Sequence, residues 1–526
     1  MSGVEFHDLL AAGEKSRKAR CDVCVIGAGA AGIYLAHVLA SRGQDVILVE
    51  AGPATGIDAE SAGFDVQFDA TPYPGATVGR YFGLGGTTSR WGGLLIPHTC
   101  YDIRGPSVEG FDSWQRIVQV VHDHTNAVLN TLGYRPGSDF VEFAEDKLGA
   151  AGQRLRSAGL ALMAGLFLPF RYKNLVYLLR SSSGKKSRPR VFINAVVNGW
   201  RINPEVTAGA TIHQINAIAS NGNQLQIQAR RFVIAAGAIE SARLLLELNA
   251  AASQPVIRTG AAIGCFLADH LSLSIADVAP SSVNDTIQLF APRFSGGWMR
   301  GFRFIEADPP RAAPRAFMHF IFDNANPGFA LAKEWLSAMQ GRRWPHSSFA
   351  DVMAGLGGIA RLGLGRYVRS RLYIPAGTPA HLQLDIEQRP VRENRITLGD
   401  ENDRFGRRVA NIHWAISDWD AENIRETAHR LLKRWPGKNG VFPMLQPRLN
   451  GDGTLKPHDA YHPIGTCRMG VDSEAVVDSH LKVWGTDNLW VVSTGVLPSA
   501  GTANPTFTLL CLAEQLARHL SASEYD

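Results

Sequence analysis

The chain has 526 residues, 45% hydrophobic and 19% charged, with 53 glycines and a formal net charge of +5. That length suffices for two domains or more and a large buried core, and the composition excludes a disordered or collagen-like chain. A charge this small for the size leaves no electrostatic footprint for nucleic acid, and no nucleic-acid partner is expected.

The opening stretch, MSGVEFHDLLAAGEKSRKARCDV, has acids and a helix-like apolar pattern but no apolar core before a cleavage site, so it does not read as a secretory signal. The six cysteines are scattered and do not suggest a disulfide framework. Cys21 and Cys24 form a CxxC on a strand, where residues three apart point to opposite faces, so neither a disulfide nor zinc is expected there. No metal site is expected, and a reducing cytoplasm fits this cysteine usage.

Asp22 to Gly52, DVCVIGAGAAGIYLAHVLASRGQDVILVEAG, reads as a complete nucleotide-binding βαβ unit. Asp22 to Ile26 is a short apolar strand, and Gly27, Gly29 and Gly32 follow at GxGxxG spacing. The first glycine allows the tight turn, the second lets backbone approach a pyrophosphate, and the third lets helix pack on strand. Ile33 to Ser41 continues as a helix whose N-terminal amides and dipole face the phosphates. Asp45 to Val49 is the second strand, delivering Glu50 about 20 residues past the glycines, where an acid accepts ribose hydroxyls and disfavours the 2′-phosphate of NADP. This unit alone leaves FAD and NAD open.

Tyr81 to Gly93, YFGLGGTTSRWGG, is a glycine-rich loop able to wrap a second face of a flat cofactor. From Tyr101 to about Phe192 the pattern is mostly helical, clearest over Trp114 to Leu132. Gly159 to Phe170 is an apolar segment in a basic stretch, 154 to 190, with no acid from Lys147 to Pro204. It is too short to span a bilayer and reads as a core helix with a solvated basic flank; contact with an anionic membrane surface or reception of an anionic substrate are the alternatives. Val191 to Asn198 reads as a strand, and Ala229 to Leu246 as strand, glycine turn and helix, bringing a second βα turn to the nucleotide.

From Ser272 to about Asn450 strands dominate, with a basic, glycine-rich, helix-like insertion at Ala330 to Leu372. In HLQLDIEQ the polar residues His381, Gln383, Asp385 and Glu387 alternate with apolar ones and share one strand face. Read alone, that face meets water; a polar substrate is the other reading. Arg395 to Leu398 and Val409 to Trp414 look like further strands of that sheet.

Near the C-terminus stand YHPIGTCRMG, 461 to 470, and LWVVSTGVLPSAGTANPTFTLLCL, 489 to 512. With GAGAAG and Glu50, GGTTSRWGG, AAGAIESARLLL, the DHL at 269 to 271, ENRITL, HPIGT and NPTFT in order, nearly the whole chain resembles the glucose-methanol-choline (GMC) flavoprotein oxidoreductases. The resemblance implies a catalytic pair, His462 and Asn504. Glucose-oxidase-like members carry a second His where this chain has Asn, so the motifs look more like the pyranose-oxidase, sugar-dehydrogenase and cholesterol-oxidase side. An imidazole with an ordinary pKa of about 6.5 can take an alcohol proton, and an amide can hold the alcohol oxygen as it gains alkoxide character. Asn504 before Pro505 opens the last helix, whose N-terminus favours negative charge on a reduced flavin.

The same resemblance implies FAD bound by Gly27, Gly29, Ala30, Ala31, Gly32, Glu50 and Ala51, and by Gly85, Gly86, Thr87, Ser89, Arg90, Trp91 and Gly92 of the glycine loop. It adds Val197, the turn Ala235, Ala236 and Gly237, and Thr494, Asn504, Pro505 and Thr506. Some relatives attach FAD through a His in the glycine loop; here Arg90 precedes Trp91, so noncovalent FAD is expected. Relatives also often carry an acid where this chain reads Val492-Ser493-Thr494.

The expected fold is α/β: a discontinuous Rossmann-like FAD-binding domain (18–100, 191–275 and 455–526) with a substrate domain of largely antiparallel sheet and helices (101–190 and 276–454). The expected reaction oxidises a hydroxyl of a sugar, glycoside or related polyol, with Gln383, Asp385 and Glu387 on the substrate and O2 or another oxidant as acceptor. A hydrophobic alcohol such as a sterol is the alternative substrate. The expected location is cytoplasmic, with peripheral membrane contact as the second reading of the basic stretches at 154 to 190 and 342 to 371.

Overall fold

The computed structural model describes residues 4–522 apart from 12, 14, 104–110, 136–138, 181–187, 204–208, 253, 325, 342–345, 438–441 and 449–456. Parts of both basic stretches (181–187 and 342–345), and the expected domain boundary at 454, therefore lie outside the described residues.

The apolar strand ahead of the first glycines lies at the centre of the parallel sheet, one of two large sheets. It runs Ser16–Ile26, longer than its apolar core, and pairs in parallel with Val46–Val49 on one side and Gln224–Ile234 on the other. Among the described residues the sheet has eight strands, parallel at its centre, with Thr211–Ile218 and Val196–Asn203 added antiparallel at one edge. Its central strands are buried on both faces, which is why they read as continuous β-branched runs. Helix Ala30–Ser41 packs so closely over the first turn that a Cβ on Gly32 would stand 1.8 Å from the Gly27 carbonyl oxygen.

A second sheet, antiparallel and nine-stranded among the described residues, carries the other half of the core, its central strands being His270–Val278, Ala380–Glu387, Ala316–Phe322 and Trp298–Glu306. Leu94–Leu95 and His458–Asp459 join this sheet, although the sequence assigns residues 18–100 and 455–526 to the cofactor domain. Helices Phe111–Thr131 and Phe140–Ser157 follow the amphipathic pattern expected there, and the insertion forms two helices, Pro327–Gly341 and Phe349–Tyr367. The α/β class with an antiparallel second sheet is borne out.

Several local expectations are corrected. The segment Gly159 to Phe170 is not a core helix: Leu160–Phe167 is a strand, paired with Trp298–Glu306 and covered by helix Phe140–Ser157. Burial on both faces removes the alternation that would have marked it as a strand. The N-terminal pattern is a strand, Glu5–Asp8, parallel to Arg190–Ile193, rather than a helix. Val191 to Asn198 is two strands, because Asn194 turns the backbone left-handed at φ 54°, sending Arg190–Ile193 and Val196–Asn203 to opposite sides of the sheet. Arg395–Asn402 and Arg408–His413 form a separate three-stranded sheet with Val66–Phe68. Finally, Gln383, Asp385 and Glu387 face no solvent; all three are buried, and His381 is half-buried.

Replacing Gly32 by Ala tests the close helix packing. Overpacking here should cost about 2 kcal/mol and lower the urea midpoint of the parallel-sheet region; an unchanged midpoint would mean the helix yields freely.

Candidate active site

Three tight backbone approaches build a cavity of about 630 Å³ at the C-terminal edge of the parallel sheet. Gly27, at φ +104°, lies where a Cβ would meet the Ala235 carbonyl at 2.6 Å, joining the two βα turns. A Cβ on Gly86 of the glycine loop would stand 3.1 Å from Gly29 Cα, and the Gly85 amide donates to Ala28 O at 2.9 Å. Glu50, buried, gathers the three pieces: it accepts from the amides of Ala28 (2.7 Å), Gly52 (2.9 Å) and Gly83 (2.8 Å). Burial raises its pKa against the pull of those amides.

The lining takes in every residue that the sequence assigns to the cofactor except Gly32, Gly85, Ser89 and Asn504. Gly32 and Gly85 act one layer back, through helix packing and the loop turn, and the Ser89 hydroxyl donates to Gly86 O at 2.8 Å. Sequence reasoning missed Phe64, Arg80, Tyr81, Phe82, Glu240 and Arg407, which also line the cavity. There Arg80 meets Glu240 at 2.8 Å and Arg407 meets Glu247 at 3.0 Å; no local pattern links residues so far apart in the chain.

His462 lines the same cavity. A Cβ on Gly465 would lie 2.0 Å from the Phe266 carbonyl, so the HPIGT turn packs directly on that backbone. The His462 amide donates to both carboxylate oxygens of Asp269 (2.9 and 3.0 Å), which also accept from the His270 amide (2.7 Å) and the Tyr73 hydroxyl (2.5 Å). Burial, with Asp459 nearby, pushes the Asp269 carboxyl up to about 8 against these bonds.

The proton positions follow from one carbonyl. His270 Nε2 lies 2.9 Å from Gly501 O, which can only accept, so Nε2 carries the proton. Burial lowers the His270 pKa, keeping the ring neutral and leaving Nδ1 as an acceptor. His462 Nδ1, 3.2 Å away, must then donate to it, and His462 Nε2 is left with a lone pair facing the Asn504 amide nitrogen at 3.1 Å. Burial, and then the His270 ring, lower the His462 pKa to about 3. The pair is thus a neutral imidazole acceptor beside an amide donor, and the buried Asn504 Oδ1 has no hydrogen-bond partner among the described residues.

The loop before Asn504 is clamped from three directions. Asp102 accepts from the Thr502 amide (2.6 Å) and hydroxyl (2.9 Å), His98 Nε2 pairs with Ala500 O (3.0 Å), and Glu387 accepts from the Gly501 amide (3.1 Å). Glu387 is also held by Arg315 at 3.1 Å. Of the residues expected on substrate, Glu387 therefore supports the loop. Asp385 lies across the ladder from Ser272; against the burial that would raise its pKa, His319, 3.3 Å away, and the Ser272 hydroxyl hold its carboxyl below the usual range. Gln383 Oε1 accepts from Ser274 at 3.4 Å. Tyr73, His98, Asp102 and the positioning roles of Asp269 and His270 were missed; the one signal was a polar pair, DH, inside an apolar run.

Residues 390–513 match the family model described as GMC oxidoreductase, and residues 25–78 match an NAD(P)-binding Rossmann-like domain. The chain belongs to the GMC oxidoreductase family. This GMC oxidoreductase is 24% identical to 5-(hydroxymethyl)furfural oxidase of Methylovorus sp. (strain MP688) over 94% of its own length and 98% of the relative's. It is 32% identical to C-glycoside 3-oxidase of Arthrobacter globiformis over 133 residues, 25% of this chain and 24% of that one. Among solved structures, pyridoxine 4-oxidase from Mesorbium loti aligns with TM-score 0.55 at 16% identity, covering 95% of this chain and 99% of its own. A formate oxidase of Aspergillus oryzae RIB40, described for the effect of a mutation on FAD modification, aligns with TM-score 0.56 at 16% identity over 97% and 99%. These structural likenesses show the fold. As a GMC member the protein is an FAD-dependent oxidoreductase acting on CH–OH groups.

The lowered His462 pKa makes a stability prediction. Between about 3 and the ordinary 6.5 the unfolded chain binds the proton and the folded one does not, so the contribution is intact above pH 6.5 and lost as pH falls toward 3. In urea titrations, His462→Gln should flatten the acid-side slope by up to about 1.4 kcal/mol per pH unit; an unchanged slope would place the ring's pKa near its ordinary value.

Proposed function

We propose that this enzyme oxidises a hydroxyl of a sugar, glycoside or related polyol to a carbonyl, with His462 as the base and Asn504 as the oxyanion donor. The observation that carries the reading is the His462 Nε2 lone pair 3.1 Å from the Asn504 amide, with His462 in the lining of the glycine-walled cavity. An alcohol oxygen placed beside both groups gives its proton to Nε2 and accepts from Asn504 Nδ2 as negative charge develops. His270 holds the ring so that the lone pair faces that oxygen, and Asp269 holds the His462 backbone.

The cavity suits FAD. Its walls approach at glycines whose Cβ atoms would clash, and its floor is the N-terminus of helix Ala30–Ser41, whose free amides favour a pyrophosphate. Gly27, Gly29 and Ala30 would hold the phosphates, Glu50 the ribose, Val197 and the Ala235 turn the adenine side, and Arg90, Trp91, Thr494, Pro505 and Thr506 the flavin side. Bound FAD supplies the electron sink, taking the carbon-bound hydrogen as hydride. Gln383 and Asp385 are the proposed substrate contacts, on the sheet face that continues from His270 through Ser272.

Support for the sugar reading comes from the C-glycoside 3-oxidase match. The full-length likeness to 5-(hydroxymethyl)furfural oxidase supports a second reading, a less polar alcohol. Anaerobic mixing of the yellow protein with sugars, glycosides, aromatic alcohols and sterols decides between them by which class bleaches the flavin, and readmitted air tells oxidase from dehydrogenase. His462→Ala should keep FAD and lose bleaching by about 100-fold or more; reduction at the wild-type rate would remove His462 from the chemistry.

The attachment of FAD is tested separately. With Arg90 before Trp91 and no His in the glycine loop, acid precipitation should leave the yellow colour in the supernatant. Colour in the pellet would mean a covalent link.

A further inference from the structure

The second helix of the insertion, Phe349–Tyr367, is turned inside out relative to an ordinary surface helix. Its packed side is rich in glycine: a Cβ on Gly355 would stand 2.6 Å from Leu331, one on Gly358 2.5 Å from Asn326, and one on Gly365 2.8 Å from the Arg371 carbonyl. Its outer side is large and apolar. Met353, Leu356, Leu364 and Tyr367 are 54%, 49%, 48% and 81% exposed, and Val368 just beyond is 72% exposed. With exposed Ala360 between them, the steps of three and four residues keep these side chains on one stripe. Single exposed apolar residues are ordinary on a protein surface; a stripe running about 21 Å along one helix marks a contact.

The charge around the stripe identifies the contact. At helical spacing Arg361 and Arg366 fall on opposite flanks, and Arg369 is exposed beyond the helix end. Arg361 lies over the Tyr373 ring at 5.9 Å, while Arg366 lies over Phe294 at 5.0 Å and donates to Gly297 O at 3.0 Å; neither forms an ion pair among the described residues. Asp351 is the one acid from His346 to Tyr373, and it is tied to Ser348 in the capping box at the helix start. Arg371 and Arg293 oppose each other across an isolated bridge, a like-charge pairing that an external anion would relieve.

We propose that this helix seats the enzyme on an anionic membrane surface, lying in the interface plane with its apolar stripe at the acyl boundary and its arginines at the lipid phosphates. It does not cross the bilayer, since no helix of the described residues is long and apolar enough to do so. A convex helix with cations on both flanks matches a flat anionic sheet; a protein groove would have to bring acids to both sides of the same stripe. Trp335, 44% exposed on the preceding helix, adds an amphipathic aromatic to the hairpin.

Flotation of the full-length protein with vesicles of phosphatidylcholine alone, and of phosphatidylcholine mixed with phosphatidylglycerol, tests this. The expected result is flotation with the mixed vesicles and much less with the neutral ones, weakened at about 1 M salt, where the Debye length is about 3 Å. Arg361→Ala and Arg366→Ala should each weaken binding about fivefold, and the double variant Leu364→Glu, Tyr367→Glu should abolish it, all with far-UV circular dichroism and alcohol-driven flavin reduction unchanged. Protein that stays soluble with both lipids, or floats equally with both, overturns the proposal. So does a dimer that the double variant dissociates without any flotation, which would assign the face to a second copy of the chain.

Discussion

Because the Gly501 carbonyl can only accept, the proton order of the site runs one way, from His270 Nε2 through the two imidazoles to a bare His462 Nε2. Neither ring could reverse without placing two donors or two lone pairs against each other in a buried contact, an arrangement that costs the desolvation of both groups. The base is therefore prepared by its neighbours rather than by its own chemistry. Its lowered pKa belongs to the same arrangement, since a second imidazole and burial both oppose a positive charge there.

Such a relay needs a rigid frame, and the surrounding residues supply it with buried carboxyl groups. Asp269 ties the backbones of His462 and His270 together, while Asp102 and Glu387 hold the loop that carries Gly501 and Asn504. Each of these carboxyl groups is buried and hydrogen-bonded, as burial demands. Their benefit lies in position: a fraction of an ångström at Gly501 moves both the carbonyl that orients His270 and the amide that faces His462.

The cofactor end of the site rests on a different constraint, the absence of side chains. Gly27, Gly32 and Gly86 let backbone meet backbone at distances that a single methyl group would block. The cavity walls are thus rigid polypeptide with free amides, suited to a flat, charged dinucleotide. The exposed helix Phe349–Tyr367 uses glycine in a related way: its glycines give the packed face to the neighbouring backbone, leaving the large apolar side chains pointing outward.

Much of this was legible in the chain because it is local. The βαβ unit from Asp22 to Gly52 announces itself through strand, glycine spacing, helix and acid within one short stretch, and the HPIGT and NPTFT motifs marked His462 and Asn504 by resemblance. What the chain alone left open depends on distant contact or on burial. Leu160–Phe167 passed for a helix because a strand covered on both faces has no alternation, and Glu387 passed for a substrate or solvent residue because its partners, Arg315 and Gly501, lie 72 and 114 positions away. His270 stands 192 residues from His462, and only the folded sheets bring the rings together. Sequence by itself determined the chemistry available, a dinucleotide fold with an imidazole and an amide near its end. Tertiary structure decided which nitrogen holds the proton, because hydrogen-bond direction is set by neighbours in space and not by neighbours in the chain.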